Sequence, residues 1–120
     1  MIDVSILTSA KCEITPSKIR TISRDHLKTR GIKDASFEVE VVGKKRMTTL
    51  NEKYMKKHGP TDVLSFPLPK ISTSDNIIGT IVLCRDIIKS NSTTNGVSFE
   101  SEFARNLKHG IDHLLGIHHR

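Results

Sequence analysis

Residues 98–116 read Ser98-Phe99-Glu100-Ser101-Glu102-Phe103-Ala104-Arg105-Asn106-Leu107-Lys108-His109-Gly110-Ile111-Asp112-His113-Leu114-Leu115-Gly116. Phe99, Phe103, Leu107, Ile111 and Leu114 recur at spacings of four and three. An α-helix turns about 100° per residue, so these side chains form one apolar stripe. Ser98 has the chemistry of an N-cap, a hydroxyl able to accept from a first-turn N–H. Glu100 and Glu102 then fall in the first turn, where the helix dipole favours negative charge. Gly116 stands where a left-handed helix stop belongs. The stretch predicts a long amphipathic helix whose apolar face needs a cover.

The preceding residues can supply that cover. Ile77–Cys84 is an apolar strand with Gly79 inside it. Residues 85–90 start a helix, and Ser90–Gly96 reads as a polar loop. Residues 62–66 (Asp62-Val63-Leu64-Ser65-Phe66) form a strand ended by Pro67 and Pro69. His58-Gly59-Pro60 is a turn. Met47, Leu50 and Tyr54 recur at helical spacing and predict a short helix near 45–55. Phe37, Val39 and Val41 alternate with Ser36, Glu38 and Glu40, the pattern of a half-buried strand, which Gly43 breaks. Thr15-Pro16 opens a helix and Gly31 closes it near residue 30. Its apolar positions are Ile19, Ile22 and Leu27, with His26 on the same face as a packed structural histidine. Ile2, Val4 and Ile6 alternate as a short strand over residues 2–7. The order strand, helix, strand, helix, strand, strand, helices predicts an α+β fold, with one mixed four-stranded sheet packed with helices. The length of 120 residues suits a single domain over 1–120.

The net charge is +6, with 19 Lys and Arg, which favours polyanionic partners, RNA first among them. Lys44, Lys45 and Arg46 form one basic group and Lys53, Lys56 and Lys57 another. Lys18, Arg20, Arg24, Lys28 and Arg30 form a third. Lys45, Arg46, Lys56 and Lys57 are the candidates for an RNA-binding groove. Four Phe and one Tyr give little material for a base-stacking platform. No apolar run is long enough for a transmembrane helix, and the N-terminus does not read as a secretory signal. Cys12 and Cys84 are far apart and read as free thiols in a reducing cytoplasm.

His109 and His113 lie one helical turn apart, on a face outside the apolar arc. Two imidazoles so placed can meet one metal ion. Gly116 lets the chain reverse, and His119, three residues later, can return to the same ion. His118 points elsewhere or replaces His119. Three neutral imidazoles leave a fourth position open for water, the pattern of a catalytic zinc. The spacing His-x-x-x-His-x-x-Gly-x-x-His is also that of metzincin proteases. There a glutamate follows the first histidine as general base, whereas here the residue is Gly110. Asp112 is a candidate substitute base, although a solvated carboxylate is the favoured reading.

His109-Gly110-Ile111-Asp112-His113-Leu114-Leu115-Gly116-Ile117-His118-His119 resembles the signature of the YbeY family of ribosomal-RNA maturation endoribonucleases. Leu50-Asn51, Tyr54 and Pro60-Thr61-Asp62-Val63-Leu64-Ser65-Phe66-Pro67 resemble that family's second motif. The resemblance implies a zinc-dependent endoribonuclease of single-stranded RNA, acting in rRNA maturation and ribosome quality control with the small subunit as partner. It implies His109, His113 and His119 as zinc ligands. Asp112, Lys56 and Lys57 remain the candidates for a catalytic role. The family arginine after the tyrosine is Met55 here, its Tyr-Asp is Ile117-His118, and its Gly-Asp is Gly79-Thr80. A non-catalytic zinc-binding ribosome-assembly factor and a metallopeptidase are the competing readings.

Overall fold

The computed structural model describes residues 1–68 and 76–117. The elements are β1 (Ile2–Thr8), α1 (Pro16–Thr29), β2 (Ala35–Val42), α2 (Lys44–Met55), β3 (Val63–Pro67), β4 (Ile77–Cys84), α3 (Arg85–Asn95) and α4 (Phe99–Leu114). They build the expected α+β fold around one mixed sheet of order β1-β2-β4-β3. β1, β2 and β4 run parallel, and β3 returns antiparallel on β4. Pro67 fits at the end of β3 because an edge strand tolerates a missing N–H.

Strand alternation divides the core in two. Val39 and Val41 of β2 and Ile81 and Leu83 of β4 point to one face. There they meet Ile19 and Leu27 of α1 and Phe103, Leu107 and Ile111 of α4. Val82 and Cys84 point to the other face, where Met47 of α2 covers them with Leu64 and Val42. Side chains of Thr15 and Ser98 accept from the amides of Lys18 and Ser101 at 3.2 and 3.0 Å, as their capping chemistry predicts.

The loop expected at Ser90–Gly96 is helix instead, since α3 runs through Asn95. Ile88 and Ser92 lie buried along its inner side. The hydroxyls of Ser92 and Thr93 donate back to the Lys89 carbonyl, at 2.7 and 3.3 Å. Those bonds occupy polar groups that would otherwise favour a turn. Gly96, in the left-handed conformation, ends the helix six residues later than the start of the expected loop.

Two glycines set how tightly β4 is enclosed. Gly79 has φ +143°, and a Cβ there would stand 2.3 Å from the Phe66 carbonyl oxygen and 2.8 Å from Leu114 Cδ2. It coincides with the register shift opposite Ser36 and Phe37, a bulge that only glycine fills at this distance. Gly110 lies on the sheet-facing side of α4, where a Cβ would stand 2.8 Å from Ile81 Cγ2 and 3.3 Å from its Cδ1. Ile81 is fully buried and cannot turn away. Gly110→Ala should therefore lower the unfolding free energy by about 1–3 kcal/mol through overpacking, offset by up to about 1 kcal/mol of helix propensity. Urea melts measure the difference, and a more stable variant would show that α4 is not held this close.

Candidate metal and nucleic-acid site

The close seat of α4 decides where its flanking residues emerge. His109 and His113 leave the helix beside the sheet-facing stripe, half-buried, with ring centroids 4.8 Å apart. They border a hollow of about 370 Å³ shared by α4, the start of β3 and the end of α2. Asn51, Met55, Lys57, Thr61, Asp62, Ser65, Arg105 and Asn106 also line it. Both segments that carried the family resemblance thus face one space.

Local bonds explain the placement. Asn51 is buried, and its amide donates to the Gly59 carbonyl at 2.9 Å, bracing the turn after α2. Lys56 caps α2 in the left-handed conformation, and the Lys57 amide donates to the Asn51 carbonyl at 3.4 Å. The Asp62 carboxylate accepts from the Val63 amide at 2.8 Å, where β3 begins. The Ser65 hydroxyl donates to the Gly110 carbonyl at 3.4 Å, joining β3 to α4 between the two histidines.

Two side-by-side imidazoles are donors of the kind a zinc ion takes, so His109 and His113 fit such an ion. Gly116, at φ +79°, ends α4 in a Schellman turn: its amide donates to His113 and that of Ile117 to Asp112, at 3.0 and 2.8 Å. His119, the third ligand expected, lies outside the described residues, as does His118. Among the described residues no three His, Cys, Asp or Glu side chains converge as a metal-binding group.

Asp112 is not the solvated carboxylate that was expected. Its side chain is 3% exposed, accepting from Arg30 Nε at 3.0 Å and Nη2 at 2.7 Å. His26 Nε2 stands 2.7 Å from the same carboxylate, which requires that nitrogen to carry the proton. The physical reason is the pairing of α1 with α4. Asp112 faces the end of α1, where the bidentate Arg30 contact offsets the cost of burial. His26 is the packed structural histidine expected of it.

The four basic candidates separate. Lys57 lines the histidine hollow. Lys45 and Arg46 line a different hollow with Ser9, Gly43 and Thr49, and Arg46 pairs with Glu40 at 2.8 Å. Lys56 is exposed at the helix cap rather than on the lining of the histidine hollow. Of the four, Lys57 is therefore the one on the lining of the histidine hollow. Sequence reading missed Arg105 and Asn106, although Arg105 precedes His109 by the same four residues that separate His109 from His113. It also missed Glu102, which is buried rather than merely a first-turn acid.

The Glu102 carboxylate is paired with Arg105 Nη2 and accepts from the amides of Asn106 and Asn95 at 3.1 and 3.4 Å. The Arg105 guanidinium above all, then these amides, hold its carboxyl below the usual range despite burial. A depressed folded-state value adds stability above the ordinary carboxylate range, and that stability is lost as pH falls through the depressed value. Glu102→Gln should cost about 1–2 kcal/mol at neutral pH, and thermal melts of variant and parent should converge at acid pH, once Glu102 is protonated. A gap of constant size down to that pH would show an un-ionised Glu102.

Position 110 also bears on the protease-like spacing. A side chain there points at Ile81, away from the hollow, so a glutamate could not act on a substrate beside His109 without lifting the helix. Burial pushes the thiols of Cys12 and Cys84 up, and neither is in a disulfide. Among the described residues no helix is long and apolar enough to cross a membrane.

A family model described as endoribonuclease YbeY matches residues 6–120. The endoribonuclease YbeY of Aquifex aeolicus is 33% identical over 91% of this chain and 73% of its own length. That of Legionella pneumophila is 35% identical over 95% of this chain and 70% of its own length. That of Blochmanniella pennsylvanica is 41% identical over 72% of this chain, which spans only 56% of that relative. A solution structure of a Thermotoga maritima protein matches with a TM-score of 0.64 at 29% identity, covering 98% of this chain and 75% of that one.

Proposed function

This chain belongs to the endoribonuclease YbeY family, and on that premise we propose that it is a zinc-dependent hydrolase of single-stranded RNA, acting in the cytoplasm on ribosomal RNA during maturation and quality control of the small subunit. The observation that carries the reading is the His109–His113 pair opening on a hollow lined by Lys57 and Arg105. Cations beside paired metal donors suit a phosphodiester better than a neutral peptide.

His109, His113 and His119 would hold the zinc ion. A zinc ion held there supplies Lewis acidity toward a phosphoryl oxygen and a water ionisable near neutral pH. The chain's own residues then bind and orient the strand. Lys57 offers a mobile point charge and Arg105 a fixed planar one. Ser65 and Asn51 brace the walls of the hollow, so that the two histidines keep their place relative to β3. Asp112, adjacent to His113, ties α4 to α1 through Arg30 and so fixes the helix that carries both imidazoles. That role replaces the base considered for Asp112.

His113→Ala should lose most bound zinc and RNA cleavage together, while far-UV circular dichroism stays unchanged. Metal analysis showing the parent's zinc content in the variant would sink the three-histidine site.

Met55 favours a second reading, a zinc-binding assembly factor that grips RNA without cutting it. Met55 is 39% exposed on the lining of the hollow, and offers no charge where the family resemblance implies arginine. Under the enzyme reading, Met55→Arg should raise single-turnover cleavage by up to about a hundredfold, the equivalent of about 2.7 kcal/mol, with zinc content unchanged. Met55→Leu should do almost nothing. Tight RNA binding with no cleavage by the zinc-replete parent, nor by Met55→Arg, would favour the assembly factor.

A further inference from the structure

Two cationic side chains, Lys57 and Arg105, line the histidine hollow, and they are held in different ways. Lys57 sits on the turn after α2, at the end of a flexible stem. Arg105 stands on α4, one turn before His109, with its side chain 61% exposed. Its ion-pair partner, Glu102, is only 2% exposed. A surface pair at this helical spacing ordinarily leaves both groups in water and contributes little. Here the acid is buried, and two amides, from Asn106 and Asn95, fix its carboxylate. Asn106 also donates to the Glu102 backbone carbonyl at 2.9 Å, which locks the amide itself. Such a carboxylate is a rigid mount for whatever it binds. A guanidinium has five donors in a plane, and the contact to Glu102 engages Nη2, leaving others for a ligand in the hollow. The carboxylate of Asp62, on the same lining, adds to the field that keeps Arg105 charged.

We propose that Arg105 is a substrate-binding residue, a guanidinium mounted on buried Glu102 to grip an RNA phosphate beside His109 and His113, with Glu102 as its positioning residue. The inference rests on the nuclease reading above and adds to it the residue that reads the backbone. Arginine suits the task because its planar fork matches two phosphate oxygens. Its place on the histidine helix fixes the distance between the gripped phosphate and the imidazoles, which a loop lysine cannot do.

The test is equilibrium binding of a nuclease-resistant single-stranded 2′-O-methyl RNA to the zinc-loaded protein, followed by fluorescence anisotropy across salt concentration. Arg105→Gln should weaken binding about tenfold and flatten the slope of log affinity against log salt by about 0.7, one phosphate contact on a single strand. Arg105→Lys should keep the slope and lose part of the affinity, since the charge remains without the fork. Glu102→Gln should also keep the slope while binding more weakly, the sign of a cation present but no longer aimed. Thermal melts of the variants accompany each measurement, so that a folding defect is recognised as such. Parent-like affinity and slope in Arg105→Gln, with only the melting temperature lowered, would overturn the inference and leave Arg105 a stabilising partner of Glu102. A parent protein that binds no RNA would overturn the nuclease reading itself, an outcome distinct from RNA binding that ignores Arg105.

Discussion

The contact between Gly110 and Ile81 governs this structure. Without a Cβ at position 110, α4 lies directly on β4, and the rotation of the helix about its axis is thereby fixed. Once that rotation is set, the destination of every other side chain on α4 follows from the helical repeat. Phe103, Leu107 and Ile111 enter the core, and His109 and His113 emerge at its flank. The same contact leaves the Gly110 carbonyl within reach of Ser65, so β3 is tied to the helix at the level of the histidines. A bulkier residue at position 110 would act on packing first and on the site second.

Two buried carboxylates on α4 complete the arrangement from opposite ends. Asp112 reaches α1 through Arg30 and His26 and holds the helix against the rest of the fold. Glu102 reaches Asn95 of α3 and holds Arg105. Each buried acid is offset by a guanidinium rather than an ammonium, consistent with the weaker hydration of arginine and its fit to a carboxylate. Much of the positive charge near α4 is therefore oriented by internal acids and is not a diffuse basic surface. The basic group at the start of α2 lies on a different hollow, with Glu40 beside Arg46.

The fold was legible where local chemistry and burial agree. Thr15-Pro16, Ser98 and Gly116 mark helix ends by mechanisms that need no tertiary partner, and the structure uses each of them. The strand at 35–42 was legible because its second face is only partly covered, so that Ser36, Glu38 and Glu40 alternate with buried residues. The second half of α3 was not, because Ser92, Thr93 and Asn95 are residues of turns until Ile88 is buried beside them. The candidate site was legible only in the shared face of His109 and His113, whose spacing is a statement about a single helix. Its charges were not, because the partner of Asp112 lies on α1 and the mount of Arg105 depends on burial of Glu102. Neither relation can be read from spacing along one helix. The separation of Lys45 and Arg46 from Lys57 was hidden for the same reason, since the two basic groups stand at opposite ends of α2 and the hollows they face are set by other elements.

The parallel pairing of β2 with β4 has a consequence for the order of assembly. Val39 pairs with Ile81, and α1, α4 and β1 all lean on the two strands so joined. Between those partners the chain must close a loop that contains α2 and β3 before any reward from the pairing is received. Ile81 is also the residue on which Gly110 rests, so α4 has no seat until that closure is complete. Hairpin β3–β4 and the capped helices can form locally and early, whereas the imidazole pair meets its hollow only in the last stage. A chain emerging from synthesis would thus keep the histidine face of α4 apart from the walls that α2 and β3 supply until the whole sheet exists, a built-in delay between being made and being complete.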